Sequence, residues 1–144
     1  MMTTQPLFHK RFPVKGDFAS AGESSVKVKN VLKDIGYDPG VIRRVAVATY
    51  EAEMNVVMYG GGGEIALSVH ADFVSITIAD EGPGIPDVKQ ALIEGYSTAT
   101  EEMREMGFGA GMGLPNIKKN SDVFHIDTAV DQGTRLDLEF HCGG

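Results

Sequence analysis

Cysteine is almost missing from this chain: Cys142 is the single thiol among 144 residues. No internal disulfide can form, so a reducing, cytoplasmic setting is expected. Tryptophan is absent altogether. Long apolar runs are absent too; Val45-Ala46-Val47-Ala48 falls far short of the roughly 20 residues of a membrane span, and no membrane association is expected. Lys10, Arg11 and Lys15 interrupt the N-terminal stretch before it could serve as a signal peptide. Basic residues are outnumbered 13 to 20, for a formal net charge of −7. That balance argues against a nucleic-acid partner, which normally meets a basic face. There is no internal repeat, no long Pro/Ser linker, no Walker A sequence and no Rossmann-type alternation. What the chain does have is a 42% hydrophobic fraction, enough for one globular domain over residues 1–144. It also has 18 glycines, and their placement is the main clue.

The pattern predicts a first strand over Phe8 to Val14, then a helix from about Ala19 to Ile35 with Val26, Val28, Val31, Leu32 and Ile35 as its apolar stripe. Gly36, Pro39 and Gly40 break it. A second helix is expected from Asp38 or Pro39 to Tyr59, with Asp38 as cap and Pro39 in its first turn. Gly60 to Gly63 stop it. Ile65, Leu67 and Val69, then Val74, Ile76 and Ile78, alternate as a hairpin. A short helix over Asp87 to Glu94, a glycine-rich loop from Gly95 to Gly113 and a helix from about Leu114 to Asn120 follow. A second hairpin closes the chain, with Phe124 and Ile126 in one strand and Leu136, Leu138 and Phe140 in the other. Paired strands in runs predict an α+β fold, a two-layer α/β sandwich whose mixed, mostly antiparallel sheet carries its helices on one face.

Four places carry chemistry. Asp80 is in phase with Val74, Ile76 and Ile78, and Thr134 with Leu136, Leu138 and Phe140, so both point inward from strand ends. An inward carboxylate needs a partner. Either Asp80 caps the Gly82-Pro83-Gly84 turn, or it accepts a ligand amino group such as the exocyclic amine of adenine. Glu51 and Asn55, four apart on the second helix, share a face beside Ala48 and Ala52. They are either a solvated polar pair or a general base beside an oxygen ligand for Mg²⁺, which keeps few protein ligands when phosphates fill its shell. Glu53 lies on a different face and reads as solvated. Gly107-Phe108-Gly109-Ala110-Gly111-Met112-Gly113 has glycine at every second position and runs into a helix start. It is either a flexible surface loop or a row of amides wrapping a triphosphate. Gly95-Tyr96-Ser97-Thr98 opens the same long segment, whose charged centre (Glu101, Glu102, Arg104, Glu105) suits a lid. Lys118 and Lys119 read as surface lysines. His9, His70, His125 and His141 lack metal-like spacing and are given no role.

The order of these stretches resembles the GHKL ATPases, the superfamily of gyrase, Hsp90, histidine kinases and MutL: Glu51-x-x-x-Asn55, Asp80-x-Gly82-x-Gly84, Gly109-x-Gly111-x-Gly113, then Gly133-Thr134. The resemblance spans about Pro39 to Phe140. Asp80-Glu81-Gly82-Pro83-Gly84-Ile85-Pro86-Asp87 followed by Gly95-Tyr96-Ser97-Thr98 looks like the bacterial anti-sigma-factor and stressosome switch-protein serine/threonine kinases. It implies a Bergerat-type ATP-binding fold, ATP or ADP with Mg²⁺, Glu51 as catalytic base and Asn55 as metal ligand. By the same resemblance, Asp80, Gly82, Gly84, Ile85, Thr98, Gly109, Ala110, Gly111, Met112, Gly113 and Thr134 line the nucleotide. The implied partner is a small STAS-domain antagonist protein or a sigma factor. An alternative is an ATP-ordered binding module without useful catalysis; Glu51 favours the enzyme. Many histidine kinases place Asn where Glu51 stands, and no dimerisation helix bearing a phospho-acceptor His is visible. The insert Glu101 to Met106 departs from the usual short lids. A homodimer through the first strand is also expected.

Overall fold

The computed structural model describes residues 5–82, 92, 113–129 and 131–142. The expected helix over 87–94, Leu92 apart, and the loop over 95–112 therefore lie outside the described residues. The elements run β1 (Phe8–Lys15), a 3₁₀ turn (Phe18–Ser20), α1 (Glu23–Ile35), α2 (Pro39–Asn55), a π-helical turn (Val56–Gly60), β2 (Gly62–Val69), β3 (Phe73–Asp80), α3 (Gly113–Asn120), β4 (Val123–Ala129) and β5 (Gly133–His141). The sheet order is β1-β2-β3-β5-β4. All four of its pairings are antiparallel, so the expected mixed character is not seen among the described strands.

Strand register builds the core. Phe12, Ile65, Ile78, Leu136 and Ile126 face one another across all five strands, and Leu67, Ile76, Leu138 and Phe124 form a second row. Period-two alternation puts each row on one sheet face. Val28 and Leu32 of α1, Val41, Val45, Ala48 and Ala52 of α2, and Leu114 and Ile117 of α3 cover that face. This is the two-layer sandwich expected. Pro13 and three basic residues, Lys10, Arg11 and Lys15, occupy edge strand β1, where a missing N–H and charge discourage uncontrolled edge pairing.

Three boundaries differ from the sequence pattern. Helix α1 starts at Glu23, not Ala19, because Asp17 Oδ1 accepts from Ser20 N–H and closes a separate 3₁₀ turn. Gly22 at φ +94 then breaks the chain direction. Its buried stripe is Ser24, Ser25, Val28 and Leu32; Val26 and Ile35 are exposed. Residues 26 and 28 lie about 200° apart on a helix and cannot share one face. Helix α2 begins as expected, with Pro39 in the first turn and Asp38 Oδ2 accepting from Val41 N–H at 3.0 Å. It is regular only to Asn55, after which the chain winds through the π-helical turn.

Candidate functional site

The row of cross-strand partners next to the apolar rows is Val14, Gly63, Asp80, Thr134 and Thr128. It has the same parity as Phe12-Ile65-Ile78-Leu136-Ile126, so Asp80 and Thr134 point toward the helix layer from the strand ends, as the sequence pattern predicts. Both are half-buried. Asp80 Oδ1 accepts from Gly82 N–H at 2.9 Å, the capping arrangement. Thr134 Oγ1 and Thr128 Oγ1 share a hydrogen bond of 2.9 Å, and Thr128 Oγ1–H reaches Gly133 O at 3.0 Å. Glycine flanks Asp80 on both sides. A Cβ on Gly63 would stand 2.2 Å from Ala79 O, and one on Gly133 would stand 2.1 Å from Asp80 O. Gly133 also takes φ +90, a conformation that glycine adopts without strain. The backbone is therefore packed so closely on either side of Asp80 that only glycine fits at these two positions.

Helix α2 delivers the second group. Glu51 and Asn55 lie on its last turn, both half-buried. Gly113, the first residue of α3, meets Asn55 so closely that a Cβ there would stand 3.2 Å from Asn55 Oδ1 and 3.4 Å from Nδ2. The amide of Asn55 thus lies at the N-terminal end of α3, where unpaired backbone N–H groups and the helix dipole favour an anion. The π-helical turn carries the chain from Asn55 to Gly62, one residue before Gly63, the partner of Asp80. The two groups are in this way brought to the same end of the sheet. Turns of the π type recur at functional positions.

Of the sequence-predicted site residues, the structure describes Glu51, Asn55, Asp80, Gly82, Gly113 and Thr134. It brings Asn55 to Gly113, and Asp80 to Thr134 and Gly82. Gly84, Ile85, Thr98, Gly109, Ala110, Gly111 and Met112 lie outside the described residues. No group of three or more His, Cys, Asp or Glu among the described residues is arranged for a metal ion, and no helix among them is long and apolar enough to cross a membrane.

The expectation for Glu53 is overturned. It is 1% exposed, and its carboxylate accepts from Gly22 N–H at 3.0 Å, Ser24 N–H at 3.3 Å and Ser25 N–H at 2.8 Å. The reason is visible in α1: its N-cap is a glycine, with no side chain to satisfy the first-turn amides.

The fold and this geometry can be set beside known proteins. The family model described as "Histidine kinase-, DNA gyrase B-, and HSP90-like ATPase" matches residues 40–143. The chain belongs to this ATPase family. Among the family's curated members, it is 31% identical over 112 residues to the serine/threonine-protein kinase RsbT of Bacillus subtilis strain 168, covering 75% of this chain and 78% of that one. It is 30% identical over 106 residues to an anti-sigma F factor of Bacillus licheniformis, covering 69% of each. The crystal structure of the RsbU and RsbW domains of Rv1364c from Mycobacterium tuberculosis superposes with a TM-score of 0.65 at 17% identity, over 94% of this chain and 33% of that larger one. That likeness shows the shared fold.

Proposed function

We propose that this chain is an ATP-dependent serine/threonine kinase, transferring the γ-phosphoryl group of ATP to a hydroxyl of a small STAS-domain protein. The observation that carries the reading is the contact of Asn55 with Gly113, which sets an oxygen ligand at the mouth of a helix N-terminus. The residues present fit a magnesium nucleotide. Asn55 would hold the metal, and Asp80, half-buried at its strand end beside Thr134, would present an acceptor oxygen to the base. Bound magnesium would supply charge neutralisation on the phosphates, the main demand of phosphoryl transfer.

The chain's own groups do the rest. Asp80 orients the base by accepting from its exocyclic amine, with Thr134 beside it. Amides at the start of α3, with the glycines over 109–113, hold the phosphate tail. Glu51, about 40° round the helix from Asn55, accepts the proton of the attacking hydroxyl. The similarity to a named serine/threonine kinase and to a named anti-sigma factor supports this class. The second similarity also keeps a binding module in view, in which nucleotide orders a surface that sequesters a regulator.

The test is incubation with γ-labelled ATP and candidate partners. Wild type labels the partner, while Glu51→Gln loses transfer by at least about a hundredfold, the usual worth of a positioned base, yet still binds nucleotide. Equal labelling by the mutant takes Glu51 out of the mechanism. Nucleotide binding with no transfer to any partner favours the binding module.

A further inference from the structure

The last turn of α2 is held by a carboxylate that takes no part in the chemistry above. Glu53 sits between Glu51 and Asn55, about 200° from each around the helix, so it faces away from both. Both of its oxygens are engaged, Oε2 by Gly22 N–H and Ser24 N–H, Oε1 by Ser25 N–H. The first turn of α1 is tied onward, because Ser24 Oγ–H donates to Pro13 O in β1 at 2.7 Å. Strand β1 then leads to Gly16, which lies against the carbonyl of Gly61, just past the π-helical turn. The ties close a ring around the point where α2 leaves its regular winding. On the opposite side of α2, nine residues and about two and a half turns earlier, Arg44 donates to Asp122 Oδ2 at 2.8 Å and to His141 O at 2.9 Å.

Beyond Asn55 the regular i→i−4 winding does not continue, so contacts from neighbouring elements add to the helix's own bonds in setting the rotation of its last turn. A twist of about 10° at a side-chain radius of about 5–6 Å moves a side-chain tip by about 1 Å. A misplacement of that size can cost roughly a hundredfold in a catalytic site.

We propose that Glu53 is a positioning residue: by clamping the N-terminus of α1 it fixes the rotation of the turn that presents Glu51 and Asn55. The proposal rests on the nucleotide-site reading, and the experiment separates the two. ADP binding is measured by calorimetry with and without Mg²⁺ in wild type, Glu53→Gln and Glu53→Ala, at a temperature where circular dichroism shows all three folded. Val74→Ala, a cavity at the far end of β3, is the control for general loss of stability. Mg²⁺ tightens ADP binding in wild type. Glu53→Ala reduces that gain at least tenfold, Glu53→Gln, with one acceptor oxygen kept, reduces it less, and Val74→Ala leaves it within twofold. If Glu53→Ala does not fold, Glu53→Gln carries the measurement, with at least a threefold reduction expected.

Hydrogen exchange reads the clamp without nucleotide. In Glu53→Gln the amides of residues 51–55 exchange faster along with those of 22–25. Faster exchange confined to 22–25, or a magnesium gain unchanged in both variants, overturns the proposal and leaves Glu53 a helix cap. Failure of the wild type to bind ADP removes the nucleotide reading, and the exchange pattern then decides for Glu53.

Discussion

Single glycines do different work in this molecule, and substitution separates them. Gly133 combines φ +90 with a backbone approach that leaves no room for a Cβ. Gly133→Ala is expected to destabilise the fold by at least about 1–2 kcal/mol from the left-handed conformation alone, read by urea unfolding; an unchanged midpoint would refute the close approach. Gly113 is different, since the atoms its Cβ would meet belong to the flexible Asn55 side chain at 3.2–3.4 Å. Gly113→Ala should leave stability unchanged or slightly improved, as alanine favours helix. It should weaken magnesium-dependent ADP binding several-fold by displacing Asn55. A variant that binds as wild type would detach Asn55 from the metal.

At the scale of elements, helix ends decide more than helix interiors. Asp38 caps α2 with its own side chain, and the cap was readable because donor and acceptor are three residues apart. Asp38→Ala should cost about 1 kcal/mol, seen as a lower melting temperature with ADP affinity retained. The α1 cap was not readable, because its acceptor, Glu53, is supplied from another helix. The strands were legible almost to the residue. Alternation of Ile65, Leu67 and Val69 with Val74, Ile76 and Ile78 sets the buried face of each strand, and a slip of one residue would turn either set outward.

For the molecule as a whole, two titrating groups tie distant parts of the chain. The Arg44 guanidinium, by its hydrogen bond, holds the Asp122 carboxyl below its ordinary range, with the His141 N–H assisting. A carboxyl lowered in the folded state adds stability above the unfolded value, about 3.9, and loses it as pH falls below that. The acid unfolding midpoint of Arg44→Met should therefore rise. Side-chain exposure of 31% and 41% keeps the effect small. Burial, with the Cys142 thiol next, raises the Tyr37 hydroxyl, which donates to His70 O at 2.8 Å. That contribution is present below the ordinary tyrosine value of about 10 and is lost only in stronger alkali. Millimolar Mg·ADP should raise the melting temperature by mass action, and no shift would count against a nucleotide site.

The sequence by itself determined the elements, the buried face of each strand, and that Asp80 and Thr134 leave that face at strand ends. These follow from local periodicity, which needs only neighbours in the chain. It also carried the ordered motif spacing by which the family is recognised. Only the tertiary structure decided which residues meet. The contact of Asn55 with Gly113, the close backbone approach of Gly63 and Gly133 beside Asp80, and the burial of Glu53 against α1 all join positions far apart in sequence. Such pairings depend on how helices dock on the sheet, and a charged residue in mid-helix carries no local mark of whether solvent or a helix end awaits it.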